Sequence, residues 1–174
     1  MDIKEQIHGL TEEMLTNLGR LVAIDSQLGT PAEGKPFGEG PAKALEEGLK
    51  IAQELGFKTV NLDNYCGYAE MGEGDEIVGI AGHLDIVPVG GDWSYDPFKL
   101  TREGDYVYGR GTTDDKGPVL EALYASETLS FLLYIHRIPA THTDEDPPVF
   151  FQSHSRRDTP WMPSHIFQAI HPEV

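Results

Sequence analysis

An α/β fold, a sheet sandwiched by helices, is what this 174-residue sequence predicts. Three observations carry that expectation. Apolar residues recur at helical spacing in the stretches around residues 10–24 and 41–55. Short strand-like runs punctuated by glycine turns follow from residue 57. A third apolar helical stretch opens near Pro118. A chain of this length suits one domain and buries a sizeable core.

Taken in order, Thr11 precedes Glu12 and Glu13, an N-cap with acids in the first turn, where the helix dipole favours them. Leu10, Met14, Leu18, Leu21 and Val22 then fall on one face, so TEEMLTNLGRLVAI reads as an amphipathic helix. The glycine- and proline-rich TPAEGKPFGEGP is a loop. Pro41 opens a second helix, with Leu45, Leu49, Ala52 and Leu55 on one face and Gly56 as its stop. Strands are expected at FKTVNL and GYAEM, then a GEGD turn, then EIVGIAGHLDIVP. That last run is so uniformly apolar that it suits a strand covered on both faces. YVYGRG reads as a further short strand, and PVLEALYASETLSFLLY as a helix beginning at Pro118.

Composition narrows the function. The formal net charge of −16 excludes nucleic acid and anionic membrane surfaces as partners, because both require a basic patch. No apolar run approaches the roughly 20 residues that span a bilayer. The N-terminal stretch MDIKEQIHGLTEEML is charged throughout, unlike a secretory signal. The one cysteine, Cys66, cannot form an internal disulfide and has no activating neighbour, so it reads as an inert small residue in a reducing cytoplasm.

Residue usage changes near the end of the third helix. All 19 glycines lie at or before Gly117, and Lys116 is the last lysine. Five of the seven histidines and half of the 12 prolines follow Leu129. The tail shows no sustained period of either kind, yet it holds phenylalanines and a tryptophan that a solvated linker seldom has. Such a change is what a shift of reading frame produces.

The chemistry concentrates in AGHLDIVP and YGRGTTDDKGPV. His83 and Asp85 are two apart on a strand, so their side chains leave from the same face. The residues that follow lead into a Gly-Gly loop, which puts the pair near a strand's carboxyl end, where open α/β sheets bind ligands. The pair reads either as a buried histidine bonded to its neighbour or as part of a metal site. Asp114 and Asp115 read either as caps ahead of a helix or as a carboxylate bridging two cations, with glycines letting the backbone approach. Imidazole nitrogen with carboxylate oxygen fits zinc better than calcium or magnesium.

GHLDIVP, DWSYDPF and YGRGTTDDKGP together resemble the zinc aminoacylase and carboxypeptidase superfamily, which pairs H-x-D with G-R-G-x-x-D-x-K-G. The wording GDWSYDPF and DDKGP is most similar to its bacterial dipeptidase V branch. The resemblance covers about residues 10–125. It implies a three-layer α-β-α catalytic domain with a mixed twisted sheet, which in relatives is interrupted by a lid domain absent here. It implies His83 as a ligand of one zinc, Asp114 as the bridging ligand between two, and Asp85 as the catalytic aspartate beside the liganding histidine. Manganese or cobalt substitutes for zinc in this reading. The substrate would be a small peptide, cleaved in the cytoplasm with a glutamate as general base; the oligomeric state is left open.

Relatives carry that glutamate in a Glu-Glu pair within a pattern like G-T-[DN]-E-E. Here THTDEDPP offers Glu145 and Asp146 in its place, and His154, His165 and His171 lie in no recognisable motif. The expected organisation is residues 1–128 as the N-terminal part of a zinc-peptidase catalytic domain and residues 129–174 as a divergent tail. The expected function is zinc metallodipeptidase, with an incomplete site in this chain. The alternatives are an N-acyl amino acid deacylase of the same superfamily and a non-catalytic acidic binding domain.

Overall fold

The computed structural model describes residues 3–73, 77–136 and 149–152. Three helices, α1 (Ile3–Val22), α2 (Glu39–Glu54) and α3 (Lys116–His136), accompany six short strands. These are β1 (Lys58–Leu62), β2 (Cys66–Glu70), β3 (Ile80–His83), β4 (Thr101–Glu103), β5 (Tyr106–Tyr108) and β6 (Val149–Gln152). The main sheet runs β1-β2-β6-β3 and is mixed: β1, β2 and β6 are successively antiparallel, and β6 lies parallel to β3. β4 and β5 form a separate hairpin.

Register settles where the helices sit. Gly67 of β2 and Gly82 of β3 are both lateral partners of the same β6 residue, so these two positions share a face. A Cβ on Gly67 would meet Leu45 and Leu49 of α2, and one on Gly82 would meet Val119 of α3. Both helices therefore pack on one face. α1 lies against both, and a single core unites Leu18, Leu21, Leu45, Leu49, Ala69, Leu84, Leu120 and Leu123. The α/β class and the mixed sheet are as the sequence predicts.

Local expectations fare unevenly. α1 begins at Ile3, and Thr11 is no N-cap; inside the helix its hydroxyl donates to the Ile7 carbonyl. Nothing upstream of Thr11 breaks a helix, since Gly9 alone costs only about 1 kcal/mol. α2 starts two residues before Pro41, which sits in the first turn, where its missing N–H is tolerated. Its end is a Schellman motif: Gly56 takes φ 91°, its N–H donates to Gln53 O, and Phe57 N–H donates to Ala52 O, both at 3.0 Å. The β1–β2 turn places Asp63 and Asn64 at positive φ, which short polar side chains tolerate.

The run EIVGIAGHLDIVP gives a strand of only four residues, and the expectation of cover on both faces is not met. Ile77 and Val78 are 60% and 61% exposed, because β3 is the outer strand among the described residues and the helices lie on one face. α3 starts at Lys116, two residues ahead of Pro118, and continues to His136. β6 falls within the aperiodic tail. Among the described residues no helix is long and apolar enough to cross a membrane.

Candidate metal site and adjoining cleft

The candidate residues come from two arms. The first is the end of β3 and its continuation, His83–Ile86; the second is the turn Gly109–Asp115 that feeds α3. Period-two geometry puts His83 and Asp85 on one side, and the fold uses it. His83 Nδ1 lies 3.2 Å from the Asp85 carbonyl oxygen and 3.3 Å from Asp85 Oδ1. Both neighbours are acceptors, so Nδ1 carries the proton. On the other side of the ring, Nε2 is 3.1 Å from Asp114 Oδ1. Asp115 reaches back, its Oδ2 accepting the His83 backbone N–H at 3.1 Å. The Asp114–Asp115 peptide is cis.

The electrostatics follow from these contacts. The Asp85 carboxylate, hydrogen-bonded to the ring, raises the His83 pKa to about 9 against the opposing effect of burial. Without a bound cation the ring is therefore an imidazolium, donating to Asp85 on one side and Asp114 on the other. The Asp85 side chain is 12% exposed, whereas that of Asp114 is 80% exposed. The pair thus grades from a buried orienting carboxylate to a solvent-facing one.

A cation in place of the Nε2 proton would find one nitrogen and one carboxylate oxygen already adjacent. That donor set suits a borderline ion such as zinc, with Asp85 fixing the tautomer of the liganding ring. The fit is that of two donors. Among the described residues no third His, Cys, Asp or Glu completes a cluster able to hold a metal. Glu145, Asp146, His154, His165 and His171 lie outside the described residues.

Beside Asp114 opens a cleft of about 880 Å³, lined by the Val89–Tyr95 loop, β5 and the Gly109–Thr113 turn. The Arg110 guanidinium lies 4.9 Å from the Trp93 ring centroid, and both side chains donate to the Val89 carbonyl oxygen. Arg110 Nε is buried with no partner among the described residues. Tyr95 and Tyr108 pack at 4.8 Å between centroids on the same wall. Cys66 starts β2, is buried, and has its thiol pKa raised by that burial, away from a reactive thiolate.

Two further residues emerge only in three dimensions. Lys116 is fully buried, and its Nζ donates to the Leu21 and Ile24 carbonyl oxygens, both at 2.8 Å. Burial lowers its pKa to about 8, while Asp25 and Asp85 oppose that shift. Ser26, also fully buried, donates from Oγ to the Leu84 carbonyl oxygen at 2.7 Å. The lysine stands in a recognisable motif; nothing in VAIDSQL marks the serine.

Comparison with known proteins places these arms. Residues 79–133 match Peptidase family M20/M25/M40. The chain is 42% identical over 127 residues to the Beta-Ala-Xaa dipeptidase of Lactobacillus delbrueckii subsp. lactis, covering 71% of this chain and 27% of that protein. Its fold is similar to human carnosine dipeptidase 1, with a TM-score of 0.65 at 24% identity over 86% of this chain and 33% of that one. It is also similar to the di-peptidase Dug1p of Saccharomyces cerevisiae, with a TM-score of 0.54 at 18% identity and the same coverage. The chain spans about a quarter to a third of the length of these relatives. The segment that carries His83, Asp114 and Asp115 is thus the one that matches Peptidase family M20/M25/M40, and over most of its length the chain is similar to dipeptidases.

Proposed function

We propose that this chain is part of a zinc-dependent dipeptidase that hydrolyses small peptides in the cytoplasm, and that it carries part of the metal site. One observation supports the reading above the rest. The imidazole Nε2 of His83 and a carboxylate oxygen of Asp114 meet at the mouth of a cleft, with Asp85 on the opposite ring nitrogen. His83 and Asp114 would hold the metal, and zinc, manganese or cobalt would suit that donor pair. When bound, such an ion polarises the scissile carbonyl and makes a water more acidic.

The chain's own residues do the rest of what is in hand. Asp85 holds the Nδ1 proton and so presents Nε2 as a donor atom. Asp115 holds the backbone at His83. The cleft beside Asp114 has room for a peptide, and its Trp93, Tyr95 and Tyr108 rings offer contact surface for one. We further propose that residues 1–128 form the peptidase portion and that residues 129–174 are a divergent tail.

A two-donor site binds metal weakly and lacks a general base among the described residues, so the isolated chain is expected to turn over dipeptides slowly or not at all. The test is to titrate zinc into the purified chain by calorimetry and then to assay a β-alanyl dipeptide and an N-acetyl amino acid. Zinc binding that is lost in His83→Ala supports the reading; no zinc binding at all overturns it. Hydrolysis of the N-acetyl substrate alone would move the assignment to a deacylase. Robust zinc-dependent dipeptide hydrolysis would overturn the incomplete site.

A further inference from the structure

We propose that the end of α1 and the turn following it, residues 21–27, are the shared anchor of both arms of the site, and that Ser26 and Lys116 are positioning residues that set the separation of His83 and Asp114. The metal-facing part of this inference rests on the reading of those two residues as ligands. The geometry stands apart from it. Ser26 grips the first arm twice: its hydroxyl donates to Leu84 O at 2.7 Å, and its carbonyl accepts Ile86 N–H at 3.2 Å. A parallel bridge between Gln27 and Ile86 continues that seam. Lys116 grips the turn from the second arm, through Leu21 O and Ile24 O.

Several features show that the anchor is built and not incidental. Ser26 and Lys116 are both completely buried. The lysine stem passes so close under Gly111 that a Cβ there would lie 2.9 Å from its Cδ, and Gly111 has φ 88°. On the other side α2 presses on the same turn, since a Cβ on Gly40 would fall 2.1 Å from Asp25 O. The candidate ligands themselves are far less confined, with 35% and 80% of their side chains exposed. Their mutual distance is therefore fixed from behind, by buried hydrogen bonds that tie both arms to one short segment. Leu21 O, which also accepts the Ile24 N–H at 3.1 Å, belongs to the last turn of α1, where the helix dipole favours a cation.

The test uses the full chain labelled with ¹⁵N-histidine, with the His83 ring signals assigned by their loss in His83→Gln. Ser26→Ala and Lys116→Met are compared with Ile51→Val, a buried core change that removes no hydrogen bond of the anchor. Both anchor variants are expected to move the His83 ring nitrogens toward the shifts of an unpaired imidazole. They are also expected to weaken Co²⁺ binding, read from its visible absorption, by about 10- to 100-fold. Ile51→Val should leave both readouts at the wild-type values. Unchanged ring shifts in a folded Ser26→Ala or Lys116→Met chain would overturn the anchor, and if the lysine variant does not fold the serine variant decides. A wild-type chain that gives no cobalt spectrum would refute the metal reading alone, and the ring shifts would still decide the anchor.

Discussion

His83 is held at both ring nitrogens and at its backbone N–H, by three different aspartates. Such triple restraint on a half-buried ring lets one side chain change carry information about the site. Asp85→Asn keeps an acceptor oxygen but removes the charge that raises the histidine pKa. Zinc affinity is expected to fall about 10- to 100-fold, read by calorimetry, because a less basic ring donates more weakly; unaltered affinity would show that Asp85 does not act through the ring. The His83–Asp85 pairing was legible from the sequence, since strand geometry alone puts residues two apart on one side. The approach of Asp114 was not. No spacing rule brings residues 83 and 114 together, and only the paired motifs of a known superfamily suggested it. Ser26 and Lys116 escaped for another reason: bonds to backbone carbonyls leave no periodic trace in a sequence.

Between elements, close approach is the rule, and glycines mark it. Gly40→Ala would drive a Cβ into the Asp25 carbonyl oxygen, backbone that cannot swing aside. A loss of about 3 kcal/mol is expected by chemical denaturation, at the upper end of overpacking costs. Gly48→Ala is the contrast, since its Cβ meets only the end of the Leu84 side chain, and it should cost clearly less.

The α1–α3 contact carries a pH dependence. Asn17 Nδ2 donates to the Tyr124 hydroxyl at 2.8 Å, and that hydroxyl donates to Glu13 Oε1 at 3.1 Å. Burial, opposed by the Asn17 hydrogen bond and aided by Glu13, raises the Tyr124 pKa to about 12 from 10. The folded state therefore binds more protons than the unfolded state between those limits, so stability falls as pH rises through that window. Tyr124→Phe should flatten that decline in alkaline melts followed by circular dichroism; an identical decline would place its origin elsewhere. The helices were readable from apolar spacing, with ends misplaced by two to eight residues where a cap residue sat inside a helix. β3 was overestimated, because an apolar run does not reveal whether both faces find cover.

Across the whole molecule, 29 acidic residues against 13 basic ones leave a net charge of −16, a source of self-repulsion in the compact state. Raising ionic strength from about 0.01 to about 0.15 M shortens the screening length from about 30 to about 8 Å. The melting temperature of the chain should rise accordingly in scanning calorimetry, and a fall would show that attractive pairs such as Arg20 with Glu47 and Glu54 dominate. Composition foretold this acidity, but not the sheet order.

That order has a consequence for the birth of the protein. β6 stands between β2 and β3, so the β1–β2 hairpin and the histidine-bearing strand have no hydrogen bonds to one another. The hairpin is local and can zip at once; joining it to β3 waits for β6, which is made after every other described strand, at the cost of closing a long loop. On the ribosome, helices and hairpin would emerge first, and the seam beside His83 would close only after Gln152 had cleared the exit tunnel.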